Sequence, residues 1–453
     1  MSFSDLKMIF RFLPIFLAVY YVTPPSYRRY ILFVASIFIY ATGDPRYLAL
    51  LIASIIFNWF LGTDAFRHQK SSFVLAVLVD VVLLVLFKTL GAFSSLSFLP
   101  VGISFYIFKM ISYQFDLFRG RIEHMPSFID TAAYFSMFSQ IVSGPIMRYE
   151  DYTANTSYRR RLKDDSGRKS MLSCLDEGAF YFCIGLAFKV IIADHLAQCW
   201  YAIGTIGYAH ISAPLAWIGV LCYPLNLYFD FWGYSLMASG IGVALGFPFI
   251  ENFHHPYAAA SVADFYRRWH MTLGSWFRDY VYIPLGGSRK DGFSTFLNLL
   301  IVWLITGLWH GFSLNFLIWA GVLFILIVWE KFVLIRFPFL MKVLGRFHVL
   351  VLIPLSWMPF ALGKPEYIAG YFNCLFPFVT PPSNVYALDY VTILDNYLPF
   401  LIAGLVLLIP LFFNFIKKHR HNPLVAFICL ALFWVSIYSL AGKAGNPFMY
   451  FRF

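Results

Sequence analysis

Long apolar runs separated by short polar segments make up most of this chain. Several of these runs approach the roughly 20 residues that an α-helix needs to cross a bilayer. The predicted spans are Ile9–Val22, Tyr30–Leu61, Phe73–Leu90, Leu99–Phe118, Phe128–Ile146, Leu175–Ala193, Leu215–Phe249, Phe296–Leu308, Phe316–Trp329, Val349–Leu362, Leu398–Phe415 and Leu424–Leu440. The pattern therefore predicts an all-α polytopic membrane protein with roughly 10–12 transmembrane or re-entrant helices.

The composition favours a membrane domain over a soluble one. Hydrophobic residues make up 60% and charged residues 13% of the 453 residues, against roughly half and about a quarter in average soluble proteins. No polar stretch is long enough to fold separately, so one membrane domain over residues 1–453 is expected. The six cysteines show no metal-ligand spacing, and we expect free structural thiols and no metal site.

Positive charge is concentrated between the apolar runs, and the formal net charge is +11. The basic segments are Arg67–Lys70, Arg119–Arg121, Arg148–Lys169, Arg267–Lys290, Lys331–Arg346 and Lys417–Arg420. Because loops rich in Lys and Arg stay on the cytoplasmic side, these segments are predicted to face the cytoplasm and bind anionic lipid. They are short and lie at span ends, so nucleic acid is not an expected partner.

The positions of the basic segments conflict with a simple series of crossings. Two successive basic segments, Arg119–Arg121 and Arg148–Lys169, are both predicted to be cytoplasmic. The apolar stretch between them cannot then be a single crossing, because a crossing has its ends on opposite sides. Ser127–Pro145 is therefore predicted to be a re-entrant hairpin, and the same is expected of Leu215–Phe249, which carries Asp230 midway. Irregular backbone at membrane depth requires burial in protein or a water-filled space. We accordingly expect the helices to enclose a central channel or cavity.

An amphipathic segment follows these spans. Trp269, Leu273, Trp276 and Tyr280 recur at helical spacing, with Arg267, Arg268, Arg278 and Asp279 as polar surface and Asp264 positioned to pair with Arg267. This is the pattern of an interfacial helix with aromatic anchors. Ile283–Gly287 then breaks the helix before Arg289. The arginines fit two roles equally well, which are lipid headgroup binding and a clamp on a phosphorylated donor such as coenzyme A.

Two histidines lie in different settings. His270 belongs to the amphipathic segment, where an ordinary polar role is the simpler interpretation. His310 ends an apolar run and is flanked by Gly307 and Gly311, which allow close backbone approach. An ionisable group at membrane depth is costly and indicates function. A neutral His310 could take a proton from an attacking hydroxyl near neutral pH, although a hydrogen-bonded core histidine is the alternative.

Several motifs together resemble one enzyme family. They are Phe265–His270, Trp276–Tyr280, Ile283–Arg289, Gly307–Gly311, Leu99–Tyr106, Ser143–Ile146, Asp230–Phe231, Asn252–Phe253, Pro256–Tyr257 and Pro447–Phe453. This set, in order along nearly the whole chain, is similar to the membrane-bound O-acyltransferases. The most similar branch is that of the bacterial alginate O-acetyltransferases and related polysaccharide acetylation proteins.

The resemblance implies a membrane O-acetyltransferase with its catalytic core at about residues 99–335. His310 carries over as the catalytic histidine and His270 as the second required one. The residues expected to bind substrate are Arg267, Arg268, Trp269, Trp276, Arg278, Asp279, Arg289, Asp230 and Trp309. Acetyl-coenzyme A is the implied donor, with no bound cofactor, and the implied acceptor is an extracytoplasmic partner protein or a polysaccharide. The implied location is a bacterial inner or plasma membrane.

The chain departs from the family pattern at a few positions. Leu236 replaces an acid that relatives often carry, Tyr266 replaces a tryptophan, and Gly274 stands where relatives have a Ser-Leu-Ser context. An acid at position 236 therefore has no part in the chemistry here. Two other functions are also considered, namely a D-alanyl transferase of teichoic acid fed by a carrier protein and a transporter or flippase with a histidine proton relay. The Ile283–Arg289 element, which the D-alanyl relatives usually lack, favours acetyl transfer.

Overall fold

The regular structure of this chain is helical, as the apolar pattern predicts. The computed structural model describes residues 2–94, 98–153, 167–289, 291–379 and 385–442, and no strand occurs within these ranges. Part of the basic segment Arg148–Lys169, Lys290, residues 380–384 and the Pro447–Phe453 motif lie outside the described residues.

The α-helices are numbered here in chain order. They are α1 (Leu13–Val22), α2 (Arg28–Gly43), α3 (Leu48–Leu61), α4 (Lys70–Phe93), α5 (Ile103–Phe118), α6 (Phe128–Ser136), α7 (Gly167–Ala187), α8 (Asp194–Ile206), α9 (Ala213–Ala244), α10 (Val262–Arg268), α11 (Met271–Phe277), α12 (Gly292–His310), α13 (Leu314–Phe332), α14 (Pro338–Phe347), α15 (Ile353–Leu362), α16 (Pro365–Leu375), α17 (Asp389–Leu407), α18 (Pro410–Lys418) and α19 (Pro423–Ala441). The predicted span Tyr30–Leu61 is interrupted, since α2 ends at Gly43.

Seven helical stretches among the described residues are long and apolar enough to cross a membrane. They are Lys70–Phe93, Met171–Ile206, Gly292–His310, Leu314–Arg336, Pro338–Leu362, Asp389–Leu407 and Pro423–Ala441. Shorter apolar helices cover Met8–Val22 and Pro45–Leu61. The chain is therefore an all-α, multi-pass membrane protein. The central channel and the cytoplasmic side of the basic loops stay predictions.

Short π-helical segments join or extend several α-helices. In the described ranges they are Met8–Phe12, Phe188–Ala193, Arg278–Tyr282 and His348–Leu352. Short 3₁₀ turns occur at Pro25–Tyr27, Pro45–Tyr47, Pro256–Ala258 and Leu334–Arg336. π-Helical turns are frequent at functional sites. Three of those found here carry Lys189, Arg278 and His348, whose contacts are described below.

The chain forms two compact units whose segments alternate along the sequence. The first unit comprises residues 1–185, 234–251 and 433–452, and the second comprises residues 186–233 and 252–432.

The first unit is built around α5, which is buried along almost its whole length. A polar network crosses its core: Asn58 donates to Asp80 at 3.0 Å, and Gln114 on α5 donates to the Asn58 side-chain oxygen at 3.0 Å. Lipid offers no hydrogen-bond partners, so polar side chains at this depth are satisfied within the protein. The network thereby ties α3, α4 and α5 together.

The predicted re-entrant segment Ser127–Pro145 is a short helix followed by turns. The helix α6 has nine residues, which at about 1.5 Å per residue is too short to cross a bilayer. The buried Lys109 on α5 donates to Gln140 at 2.8 Å and to the Tyr134 carbonyl at 2.5 Å. The short helix and the turns after it are thus held by a buried side chain of α5, and the re-entrant hairpin stays a prediction.

The prediction of a second hairpin at Leu215–Phe249 is wrong. The helix α9 runs without interruption from Ala213 to Ala244. Asp230, which suggested the break, instead forms an ion pair with Lys189 at 2.8 Å. A glycine such as Gly233 costs only about 1 kcal/mol inside a helix, so packing keeps the helix intact.

The second unit packs α12 against α13 and α13 against α15. Its largest fully buried side chains include Trp319 on α13 and Trp357 on α15. Gly307 allows the close approach of α12, because a Cβ there would lie 2.9 Å from the Ala320 side chain. This trio of helices holds the aromatic core described in the next section.

A glycine contact in the first unit gives a test of this packing. A Cβ at Gly240 would lie 2.7 Å from the Gly178 carbonyl oxygen and 2.9 Å from the Phe182 nitrogen. Gly240→Ala should therefore force α7 from the final turns of α9 and destabilise the protein by about 1–3 kcal/mol. Thermal unfolding in detergent micelles measures the effect.

Gly242→Ala is the matched control, since a Cβ there meets only the Phe247 side chain, at 3.9 Å. Both substitutions raise helix propensity equally. Equal melting temperatures for the two variants would contradict the close contact.

Candidate active site

A buried carboxylate holds the start of α10. Glu330 on α13 accepts hydrogen bonds from Val262 N–H, at 2.9 Å to each carboxylate oxygen, and from Ala263 N–H at 3.3 Å. His348 Nδ1 lies 2.9 Å from Glu330 Oε1. The first N–H groups of a helix lack internal partners, and negative charge there is favourable. Glu330 therefore fixes the start of α10 against α13.

Side chains near the start of α10 also cap this helix. The Ser261 side chain accepts from Asp264 N–H at 3.0 Å, which is an N-cap interaction. Asp264 pairs with Arg267 at 3.3 Å, as predicted, and with Arg268 at 3.0 Å. These contacts give a seven-residue helix a defined beginning and orient its arginines.

The chain turns sharply at His270, between α10 and α11. The φ angle of His270 is +45°, in the left-handed region that is uncommon for residues other than glycine. On either side, His254 N–H donates to the Arg268 carbonyl and Met271 N–H donates to the Asn252 carbonyl, each at 2.9 Å. The segments 252–254 and 268–271 are thus paired, and this pairing holds the turn.

The prediction of one helix through Trp269–Tyr280 is wrong at its start, because the chain turns at His270. The helix α11 begins at Met271, so Trp269 precedes it in extended conformation. The predicted apolar stripe is nevertheless buried inside the protein at all of its positions, Trp269, Leu273, Trp276 and Tyr280. The spacing identified the buried face, while the pairing with 252–254 decided where the helix starts.

His270 is enclosed by protein. It is 3% exposed, its Nδ1 lies 3.1 Å from Asn252 Oδ1, and its ring meets Phe231 edge-on with centroids 4.6 Å apart. Burial lowers the pKa of His270 to about 3. The imidazole is therefore neutral near pH 7, which is the form that accepts protons.

His310 ends α12 and lies among aromatic rings. Its ring centroid is 4.6 Å from that of Trp309, 5.0 Å from Trp319 on α13 and 5.2 Å from Phe360 on α15. A Cβ at Gly311 would lie 2.5 Å from the Phe316 ring. The glycine beside His310 thus allows the close approach that the sequence predicted, and His310 is 6% exposed.

An aromatic cluster extends between the two histidines. Trp269, which precedes His270, has its ring centroid 5.2 Å from that of Trp357. Trp357 stacks on Trp319 at 5.3 Å, and Trp319 contacts His310. The structure thereby places His310 and the segment that carries His270 on one continuous apolar core.

Asp230, predicted to bind substrate, lies in a buried ion cluster. Lys189 Nζ is 2.8 Å from Asp230 Oδ1 and 2.6 Å from Asp194 Oδ1. The residue after Asp230 is Phe231, whose ring contacts His270. Asp230 is therefore next in sequence to the residue of α9 that contacts His270.

The four predicted arginines differ in their surroundings. The side chain of Arg267 is 74% exposed, that of Arg268 32% and that of Arg278 62%, and each has an acidic partner. Asp279 binds Arg278 through two hydrogen bonds, at 2.7 and 3.2 Å. Exposed ion pairs are worth at most about 1 kcal/mol, so an incoming phosphate could replace them at little cost.

The loop before the exposed Arg289 is fixed by hydrogen bonds. Asn298 on α12 donates to the Gly287 carbonyl at 3.0 Å. Ser288 Oγ lies 2.7 Å from the Tyr282 hydroxyl and accepts from Lys331 on α13 at 3.3 Å. The loop is thus attached to the two helices that position His310.

Sequence reasoning missed several residues of this region. Glu330, His348, Lys189, Trp319, Trp357 and Phe360 carry no local motif, and Asn252 was noted only as part of a resemblance. Lys189 pairs with Asp230, Glu330 with the start of α10 and Trp319 with Trp357, and a single sequence shows no such pairing. The only local signal was the presence of charged residues within apolar runs, which indicates a buried partner.

Comparisons with known proteins point to one family. Residues 58–351 match the model of the membrane-bound O-acyltransferase family. The chain is 31% identical to a probable alginate O-acetylase of Pseudomonas putida, with all of both chains covered. It is 37% identical to a probable alginate O-acetylase of Azotobacter vinelandii over 71% of this chain and 67% of that one. It is 33% identical to the peptidoglycan O-acetyltransferase of Helicobacter pylori over 70% of this chain and 68% of that one.

Proposed function

The chain belongs to the membrane-bound O-acyltransferase family, and we propose that it transfers acetyl groups across the bilayer. The donor is cytoplasmic acetyl-coenzyme A, and the acceptor is an extracytoplasmic hydroxyl used to O-acetylate an exopolysaccharide or cell-wall polymer. The names of the similar proteins, which act on alginate and peptidoglycan, support this acceptor class. The enzyme acts in a bacterial inner or plasma membrane.

One observation supports this function most strongly. His310 and the turn that carries His270 contact the same buried aromatic cluster. Exclusion of bulk water from the place of acyl transfer protects the thioester from hydrolysis. An apolar core that joins His310 to the turn of His270 offers this exclusion.

The proposed reaction is a single acyl transfer. The acceptor oxygen bonds to the carbonyl carbon of the thioester, and His310 takes the hydroxyl proton as general base. The carbon–sulfur bond then breaks, and the coenzyme A sulfur leaves as a thiolate that receives the proton from His310. His270 is the second required histidine and assists the same step.

The arginine-rich surface is proposed to bind the donor. Arg267, Arg268, Arg278 and Arg289 offer planar forks that match phosphate oxygens. Trp269 and Trp276 of the same segment are buried, and the loop at 283–289 is attached to α12. Phosphates bound here would place the donor beside the segment that leads to His270.

Two alternatives make different use of the same residues. A D-alanyl transferase would need a carrier-protein thioester in place of acetyl-coenzyme A, and a transporter would consume no thioester. The Ile283–Arg289 element and the O-acetylating relatives favour acetyl transfer over both.

Replacing the proposed base gives the most direct mutational test. His310→Ala should lower acetyl transfer by about 10²–10⁴-fold, as is typical for loss of a general base. Donor binding should be retained, because His310 is assigned to the reacting bond rather than to the phosphates. Transfer from radiolabelled acetyl-coenzyme A and calorimetric binding of coenzyme A measure the two quantities.

His210→Ala serves as the control, since His210 is exposed in the loop before α9 and should leave turnover unchanged. His270→Ala should also reduce transfer. The double variant should lose less than the product of the single losses, because the two residues act on one step. Near-full turnover by folded His310→Ala would refute the mechanism and favour a transporter.

The donor site is tested with the arginines. Replacing Arg267, Arg268, Arg278 or Arg289 by alanine removes charge-assisted bonds worth roughly 1.5–3 kcal/mol each. Affinity for coenzyme A should fall about tenfold to a hundredfold, with unchanged melting temperature. Arg346→Ala, on the exposed side of α14, should bind normally. Unchanged affinity in all four variants would assign these arginines to lipid anchoring.

A further inference from the structure

The contacts of Asn252 point to a role that the motif at His270 does not itself reveal. Asn252 Oδ1 lies 3.1 Å from His270 Nδ1, 3.3 Å from the Thr272 backbone nitrogen and 2.9 Å from Thr272 Oγ1. All of these atoms are buried. We propose that Asn252 is a positioning residue that holds His270 in the tautomer with the proton on Nδ1, leaving Nε2 as the proton-accepting atom.

The identity of the bonded atoms supports this assignment. A backbone N–H can only donate, so the Asn252 atom facing Thr272 N–H is the carbonyl oxygen and not the amide nitrogen. The same oxygen faces His270 Nδ1, which must then donate. Because the imidazole is neutral, its other nitrogen carries the lone pair.

The backbone strengthens this constraint. The Asn252 carbonyl accepts from Met271 N–H at 2.9 Å, so Asn252 binds residues on both sides of His270 through its main chain and its side chain. The left-handed conformation of His270 is costly unless surrounding contacts hold it. Asn252 therefore sets both the direction and the tautomer of the imidazole.

Two charged groups in the elements around His270 are paired. Asp230, adjacent to Phe231 in α9, binds Lys189, and Arg268 in α10 binds Asp264. Among the described contacts of His270, the Nδ1 partner is a neutral amide. A neutral partner leaves the imidazole uncharged, whereas a carboxylate at the same position would stabilise the imidazolium.

The inference rests on the proposed function for its catalytic meaning, but its first test needs no activity. Nitrogen NMR of the full-length protein in detergent, labelled at its histidine side chains, separates the two neutral tautomers. The His270 signal is identified by its loss in His270→Gln. Wild type should show a protonated Nδ1 and an unprotonated Nε2 at neutral pH. A proton on Nε2 would overturn the proposal, whatever the enzyme turns over.

Asn252→Asp provides the second test. The carboxylate should raise the pKa of His270 by about 1–3 units, so the protonated form appears at higher pH than in wild type. Nitrogen NMR over a pH series should show the midpoint of His270 protonation at higher pH by the same amount. Turnover at a pH above this midpoint should be largely kept, because the imidazole is neutral there.

Two further variants separate positioning from folding. Asn252→Ala should lower turnover by about tenfold to a hundredfold through misplacement of the imidazole, with a mixture of tautomers in the spectrum. Thr272→Val removes one donor to the same oxygen and leaves His270 unchanged, so it should keep both the tautomer and the midpoint of His270 protonation. If this midpoint is the same in Asn252→Asp as in wild type, while the wild-type protein transfers acetyl groups, the role of Asn252 is refuted and the proposed function stands.

Discussion

The hydrogen bonds of Glu330 connect the parts of the site. Its carboxylate accepts from the first N–H groups of α10 and contacts His348. Glu330 lies on α13, and α13 also carries Trp319, whose ring contacts His310. Through Glu330 this helix positions the segment that leads to His270, and through Trp319 it encloses His310. A buried carboxylate is costly unless it is paired, so loss of any of these partners would destabilise the arrangement.

The need to pair polar groups inside the protein explains much of the remaining architecture. Lys189 forms ion pairs with both Asp194 and Asp230. Lys109 donates hydrogen bonds to Tyr134 in the short helix α6 and to Gln140 after it, and Asn252 forms a hydrogen bond with His270. In each case a polar side chain in an apolar surrounding joins two separate segments of the chain. Ring packing then fills the space between them, as with Trp357 and Trp319. Specific geometry at the candidate site thus comes from few polar contacts within a large apolar core.

The sequence predicted those features that depend on local pattern. The span at Phe73–Leu90 lies inside α4, and the buried face of the Trp269–Tyr280 segment follows its spacing. The hairpin assigned to Leu215–Phe249 was wrong because Asp230 was read without Lys189, a partner 41 positions earlier in the chain. The turn at His270 was missed because the helical spacing continues through it, while its cause is the pairing with residues 252–254. Motif resemblance pointed to both histidines and included Asn252 without assigning it a role, but it said nothing of Glu330.

The central claim is that a donor on the cytoplasmic face reaches an acceptor on the other face through His310. Sealed membrane vesicles of both orientations, prepared from cells that express the chain, test it with radiolabelled acetyl-coenzyme A. Inside-out vesicles should consume the thioester and accumulate label on luminal polymer, and right-side-out vesicles should do so only after permeabilisation. His310→Ala vesicles should do neither. Equal labelling of sealed right-side-out vesicles, or labelling that persists in His310→Ala, would contradict the account.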